Sequence, residues 1–488
     1  MLRAFFGIAA LVLCAAAPAA DPGSAIIVRG QVPLRAAPEG SARQQALLWQ
    51  GEVVEVRGER KDYYQVYDYR RERGGYVHAS QVRRLKLTAE EAPELLAVVR
   101  FVRDTPGFEA LGIGFVAAYI QAAPAEVLRG DAGVEALDAL GTFADRLAQR
   151  ASSGGTQNKT AEALLAAHLD VAARYGIRFS SFDRKGRVQI CYEGDAFRRV
   201  LAMRSTPEQR ARAVLALTRH ECVNPDLGPL ERHSLVESNA ELLDRVDAST
   251  LPAWLSNRVL MRRAAVWSSL AYHRARAGGE AETAAGRALV ELSGIRKAEL
   301  TDGDRAAYND AAMRVSASRW AATPTAASNA AKRARIAVTP GEPGESCVAL
   351  VDAKGGALAK RCTYGVVWAG SATLNREGTA LAVAVQPLDS WREMWVFRKE
   401  AGGWTVRILP PASNLPEIGY VEFAGWVPGG RQVLVAREAR GEGKYQRHFE
   451  VVRLDTLAVA QHAREPGDLD AFRRWQDPSW KRLTVALR

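Results

Sequence analysis

The feature that most constrains this chain is that its apolar pattern changes period twice. From 25 to 86, short runs alternate with period two between turn residues: Ile26-Ile27-Val28, Val32-Pro33-Leu34-Arg35, Gly51-Glu52-Val53-Val54-Glu55-Val56, Tyr63-Tyr64-Gln65-Val66-Tyr67 and Gly74-Gly75-Tyr76-Val77-His78. Successive strand residues face opposite ways, so these runs predict the strands of a small β domain. From 88 to 322 the spacing becomes helical. Thr88-Ala89-Glu90-Glu91 and Thr206-Pro207-Glu208-Gln209 have the form of capping boxes, in which Thr accepts from the amide three residues on and Glu or Gln reaches back. Leu255, Val259, Val266, Trp267, Leu270 and Ala271 share one side of a helix expected over 252–277, which Gly278-Gly279 ends. Thr301 is expected to open the last helix. A polar break at 152–160 is a place where this region can subdivide, and one hairpin is expected inside it, over 178–192. Residues 323–335 are Ala, Thr, Ser, Lys and Arg, with one Pro and one Asn, without a period and read as a linker. Period two then returns over 336–488.

The chain's 488 residues suggest about three domains, and 48% hydrophobic content is enough to give them cores. The net charge of +11 is spread along the chain, with no run of five or six like charges. It reads as an ordinary basic surface, and no nucleic-acid motif accompanies it.

The N-terminus has the order of a secretory signal over 1–19. Met1-Leu2-Arg3 is positive, 4–16 is apolar, and Ala17-Pro18-Ala19 is a small-x-small cleavage site. The expected mature start is Ala20 or Asp21. The apolar stretch is short for a membrane span, and no later stretch reaches about 18 apolar residues, so no span is expected in the mature chain. Cys14 follows Leu13 rather than a small residue, which does not favour lipidation. Four cysteines remain: Cys191, Cys222, Cys347 and Cys362. In an oxidising compartment an even number favours disulfides, and four allow three pairings. A turn centred on Lys354-Gly355 places residue 347 opposite 362, with Gly supplying the positive φ. That selects Cys347–Cys362 and leaves Cys191–Cys222.

Four landmarks in the first β region follow one another in a recognisable order: Leu34-Arg35-Ala36-Ala37-Pro38; Leu48 with Gly51-Glu52-Val53-Val54-Glu55-Val56; Tyr64-Gln65-Val66; and Gly75-Tyr76-Val77-His78-Ala79-Ser80 with Val82. This pattern resembles the bacterial SH3 (SH3b) family, over about an eighth of the chain. Tyr64 and Tyr76 stand where the family usually has Trp. The resemblance implies an SH3-like β-barrel over 25–86 and binding of peptidoglycan or a peptide. Flat rings suit such a role, because an extended ligand packs on them at little entropic cost. Alternation puts Tyr64 and Val66 on one face and Tyr63, Gln65 and Tyr67 on the other, so one set is core and the other exposed. Trp49, Tyr63, Tyr67 and Tyr69 are the expected ligand-binding residues.

A weaker repeat marks the C-terminal region. Asn375-Arg376-Glu377-Gly378-Thr379-Ala380-Leu381-Ala382-Val383 resembles Val427-Pro428-Gly429-Gly430-Arg431-Gln432-Val433-Leu434-Val435. Both resemble Asp477-Pro478-Ser479-Trp480-Lys481-Arg482-Leu483-Thr484-Val485. The offsets of about fifty residues and the turn-then-strand unit resemble TolB-type or WD40-like blades. A closed propeller needs at least about four blades, and only about three units fit. The expected fold is therefore multidomain: an N-terminal all-β SH3-like barrel, an all-α middle region over 88–322, and a C-terminal all-β blade-like domain over 336–488, built as an incomplete propeller or a sandwich. The whole architecture resembles SH3-domain-containing exported proteins of Gram-negative bacteria.

Catalytic readings are weaker. Cys191 precedes a helix expected near Asp195, and His220 is a candidate base, an arrangement found in NlpC/P60-type peptidases. The Asp-Cys-Ser pattern of that family is replaced by Ile190-Cys191-Tyr192. His220-Glu221 resembles the start of a zinc-peptidase helix, but Asn224 stands where the second His belongs, and His233 comes only after a Pro and a Gly. Glu237-Ser238 resembles the Glu-Ser of lytic transglycosylases without its Gly-rich continuation. No cofactor and no metal is expected. The expected function is a non-catalytic periplasmic binding or scaffold protein, with peptidoglycan or an envelope protein as partner. The alternative is a hydrolase acting on peptidoglycan or peptides, with its site in the helical middle.

Overall fold

The structure is a computed structural model that describes residues 23–152, 158–184, 186–323, 334–413, 416–441 and 443–481. The expected signal peptide (1–19) and most of the expected linker (323–335) lie outside the described residues. The chain forms two compact units. One runs to residue 209 and includes 221–225; the other comprises 210–220 and the chain from 226 onward.

The first unit begins with seven strands: β1 Gly23–Ile27, β2 Gln31–Arg35, β3 Gln44–Trp49, β4 Val53–Arg60, β5 Tyr63–Asp68, β6 Arg73–His78 and β7 Val82–Leu85. They form one antiparallel sheet in the order β3-β2-β6-β5-β4-β1-β7. Alternation works as the sequence implies: Ile27, Val32, Leu34, Leu48, Val54, Val56, Val66 and Val77 close on one another as a core. The remaining elements are α1 Ala92–Arg103, α2 Glu109–Ala122, α3 Ala125–Arg129, α4 Asp131–Ser152, α5 Lys159–Arg174, β8 Phe179–Arg184, β9 Arg187–Tyr192 and α6 Asp195–Ala202. The β8–β9 pair is the expected hairpin, so the middle region is helical but not purely so. Helix α2 is apolar all round and is buried on nearly every side, with only Ile120 and Gln121 of its last turn exposed. At Gly112 an added Cβ would lie 2.3 Å from the Phe143 ring, so only glycine lets α2 approach α4 this closely.

Two expectations for this unit are corrected. The change of period at residue 87 is not a seam. Ile26 and Leu85 turn away from the sheet's own core and join Leu95, Ile113, Phe115 and Phe143 in a core shared with the helices. Tyr175 donates a 2.7 Å hydrogen bond to the Gly51 carbonyl, and Arg174 pairs with the buried Glu52 at 2.8 Å. The box at Thr88 opens a turn rather than a helix. Helix α1 starts at Ala92, with Pro93 in its first turn, and Glu91 reaches back instead, accepting from the Lys86 and Leu87 amides at 2.7 and 2.8 Å.

Helix α7 is Pro207–Leu217. Its capping box is formed: the Gln209 amide donates to Thr206 Oγ1 at 3.3 Å, and the Thr206 amide donates to Gln209 Oε1 at 2.9 Å. The second unit continues with α8 Pro229–Asp244, α9 Ala253–Arg276, α10 Glu282–Ser293 and α11 Asp302–Ser318, the last capped by Thr301. Its strands follow in three antiparallel groups. The first is β10 Ala334–Pro340, β11 Ser346–Asp352 and β12 Ala357–Thr363. The second is β13 Val366–Leu374, β14 Ala380–Leu388, β15 Trp391–Glu400 and β16 Gly403–Leu409. The third is β17 Ile418–Val427, β18 Gln432–Gly441, β19 Lys444–Arg453 and β20 Val459–Ala463, followed by α12 Asp470–Trp475. The second and third groups touch through a short parallel pairing, Trp391 with Gly419 and Arg392 with Tyr420.

Packing explains why alternation is weak here. Leu381, Val383 and Phe397 pack with Val348 and Leu350 of the first group, while Ala382, Met394 and Val396 pack with Val421, Val433 and Val452 of the third. A strand covered on both faces reads as a continuous apolar run, as β14 does from Ala380 to Val385. The far face of the third group is covered by Leu469, Phe472 and Trp480. Two of the three repeated segments are the tight turns between β13 and β14 and between β17 and β18. The third is not. Asp477 caps a helical turn at 478–481, accepting from the Ser479 amide at 2.8 Å, with Pro478 in the first helical position. The strand expected after it falls on residues that lie outside the described ones.

Candidate functional site

The expected binding residues do not gather in one place. Tyr67 and Tyr69 do meet, edge to face, with ring centroids 5.0 Å apart. The Arg57 guanidinium lies 3.9 Å from the Tyr67 centroid and 5.9 Å from that of Tyr69. Glu55 holds Arg57 from the side at 2.8 Å. Their mutual hydrogen bond lowers the Glu55 pKa, with help from Tyr69, and raises that of Arg57. A guanidinium over a ring face gains from the ring's negative face, and pairing with Glu55 fixes it there. Tyr69 is 67% exposed, whereas Tyr63 and Tyr67, expected to be open, are half-buried. Tyr63 sits at the opposite end of β5 against the edge of His78, at 5.1 Å. Trp49 lies on β3, which β2 and β6 separate from β5. Tyr64 belongs to the sheet's inner core, as alternation implies.

Arg57 is the residue that sequence reasoning missed. Val56 pairs with Val66, and Gly58, not Arg57, pairs with Gln65. Arg57 is thus the extra residue of a β-bulge, and bulges re-aim side chains. The signal available in the sequence was the Gly at 58 after a strict alternation.

The catalytic readings find little support. Cys191 Sγ is bonded to Cys222 Sγ, so the candidate nucleophile is not a thiol. Cys347 and Cys362 face each other across β11 and β12 and are likewise bonded. Among the described residues, the one group of three potential metal ligands is Glu345 with Cys347 and Cys362, and this disulfide occupies both sulfurs.

A polar cluster that no motif announced lies in the second unit. Ser269 Oγ donates to Asp389 Oδ2 at 3.1 Å, and Arg314 approaches the same carboxylate at 3.8 Å. Burial works against the charge on Asp389, but Arg314, His220 and His273 together hold it below the usual carboxylate range. Burial pushes His273 down to about 4, so it is neutral at neutral pH. His233 stacks obliquely near it at 6.1 Å and pairs with Glu237 at 3.4 Å. A carboxylate fixed as an anion and a neutral imidazole are parts that acid–base chemistry uses. Compared with known proteins, the chain matches no family model, no curated protein and no solved structure.

Proposed function

We propose that this chain is an exported, non-catalytic binding or scaffold protein of a bacterial cell envelope. In this reading the N-terminal β region is an SH3-like barrel that docks an extended peptide, including the stem peptide of peptidoglycan. The observation that carries it is the outward platform of Tyr69, Tyr67 and Arg57: two crossed rings with a guanidinium clamped over one of them. Such a surface takes a peptide by packing on the rings and takes its carboxylates by the guanidinium. Two bonded cysteine pairs support an oxidising address, and no helix among the described residues is long and apolar enough to cross a membrane. The three stacked antiparallel groups from β10 to β20 support the blade-like reading of the C-terminal region as a second, broad interaction surface.

The test is a pull-down of the chain from residue 21 on purified sacculi and on envelope extract, with Tyr69→Ala and Arg57→Ala alongside. Both variants are expected to bind several-fold more weakly and to melt within about 0.5 kcal/mol of the parent, since both residues are exposed or half-exposed. Unchanged binding by both variants, or solubilisation of the sacculi by the parent, overturns the proposal.

A further inference from the structure

A cluster of buried charges, independent of the aromatic platform, lies along β17. Glu422 is 4% exposed and lies between two guanidiniums: Arg319, 4% exposed, and Arg392, fully buried. Arg319 Nη2 is 2.6 Å from Glu422 Oε1, and Arg392 Nη2 bonds to Oε2. Burial and the neighbouring Arg319 lower the Arg392 pKa against the pull of Glu422; the two arginines together hold Glu422 below its usual range in spite of its burial. Two cations share one anion, so the triad carries one positive charge in excess. A buried charge of this kind is costly unless an anion meets it. Arg392 is partly satisfied by the Ser316 and Val421 carbonyls, at 2.8 and 3.4 Å. Arg319 gives its Nε–H to Glu422 Oε2 at 3.1 Å, but its Nη1 is buried without a hydrogen-bond partner among the described residues, as are Arg392 Nε and Arg437 Nε on the neighbouring strands.

Both of these arginines line a cavity of about 30 Å³, walled also by Tyr420, Phe449 and Trp480. At roughly 10–15 Å³ per water, that space takes about two waters or one small planar anion. The Arg437 charge is already met by Glu450 at 2.8 Å, and the two other charged residues of the wall, Glu438 and Arg447, stand opposite each other on β18 and β19 and offset, so the excess to be neutralised is a single unit. A guanidinium fork matches a carboxylate in shape as well as in charge. A dianionic phosphate carries one charge more than this excess.

We infer that this cavity binds the carboxylate of a monoanionic ligand, with a guanidinium edge of Arg319 and the Nε–H of Arg437 as donors and the aromatic wall taking a short apolar substituent. The ligand's source is either a free short-chain acid or the terminal carboxylate of a peptide. The experiment titrates the full chain from residue 21 with sodium propionate and with N-acetyl-L-alanine, against sodium chloride and phosphate at matched ionic strength. Thermal melts and calorimetry are the readouts. At least one carboxylate is expected to raise the melting temperature saturably, as a ligand of the native state does, where chloride and phosphate do not. Tighter binding of N-acetyl-L-alanine assigns a peptide terminus, and tighter binding of propionate a free acid. Arg319→Met leaves Glu422 and Arg392 as a neutral pair and is expected to lose the response; Arg319→Lys keeps the charge without the fork and is expected to weaken binding by roughly tenfold or more. Absence of any carboxylate response, an equal response to chloride, or a full response in a folded Arg319→Met chain overturns the inference. Should Arg319→Met not fold, Arg437→Lys, which keeps the pair with Glu450, decides the same question by its loss of affinity.

Discussion

Gly51 shows how much one residue can decide. Its backbone is held at φ +88°, and a Cβ there would come within 2.5 Å of the Ala110 carbonyl oxygen. Gly51→Ala is therefore expected to destabilise the chain by more than about 1 kcal/mol, from the positive φ and the backbone clash together, read as a lower denaturation midpoint at unchanged slope. His273 sets a pH dependence. Its pKa is about 4 in the folded chain, against about 6.5 when unfolded. Between those values the unfolded chain binds a proton that the folded chain refuses. Stability is thus fully present above pH 6.5 and falls as the pH drops toward 4. The groups that face His273 are Asp389, which favours its protonation, and His233, Arg232 and Arg276, which oppose it. Asp389, itself depressed, extends the loss to lower pH, below the ordinary carboxylate value. Denaturation midpoints between pH 7 and 4 are expected to fall less steeply in His273→Gln than in the parent; parallel curves refute this assignment. The contrast with the sequence is instructive. Gly51 was legible as the start of an alternating run because that pattern is a local matter. The Asp389 cluster was not, because Ser269, His273, Arg314 and Asp389 are brought together by packing of α9 and α11 with the segment after β14.

Elements were most legible where a single local interaction defines them. The box at Thr206 and the cap at Thr301 needed nothing beyond three or four neighbours. The Cys347–Cys362 pair followed from the symmetry of a hairpin about its turn, and the register of β11 with β12 places those residues opposite each other. Its loop is the shorter of the two, with a separation of 15 residues against 31 for Cys191–Cys222. Chain entropy assigns about 3 kcal/mol to a loop of the first size and somewhat more to the second, whatever share of that is enthalpic. Melts with and without reductant, on the parent and on the Cys347→Ala/Cys362→Ala double variant, are expected to separate the two contributions. A reductant that leaves the midpoint of the parent unchanged would count against both bridges. Elements failed to be legible where a partner overrode the local signal. The bulge at Arg57 breaks the alternation to place a guanidinium on Tyr67. Asp477-Pro478 resembles a hairpin turn but is a better helix start, with an acceptor for the free amides and a proline where no donor is required.

At the scale of the whole molecule, the boundary between structural types is not the boundary between cooperative units. The N-terminal β region alone, residues 22–88, would expose Ile26 and Leu85 with the flanking Val28 and Leu87, all of which pack against the helices in the full chain. Burying one Ile or Leu is worth about 1.5–3 kcal/mol, so Ile26 and Leu85 together approach the whole stability of a domain of about sixty residues. The isolated fragment is thus expected to lack a cooperative melt, whereas a fragment carrying the first unit is expected to have one. The place to cut is fixed by chemistry. Residues 221–225 belong to the first unit, and Cys222 is the partner of Cys191. A fragment of 22–209 leaves Cys191 without that partner, while 22–227 retains the bond. Thiol titration under denaturing conditions should therefore find one free thiol in the shorter fragment and none in the longer one. The longer fragment should also melt at the higher temperature, because the bridge removes disorder from its unfolded chain. A cooperative melt for 22–88 would mean that the sheet does not depend on the core it shares with the helices, and equal melting temperatures for the two longer fragments would mean that the bridge between β9 and residues 221–225 adds nothing to the first unit.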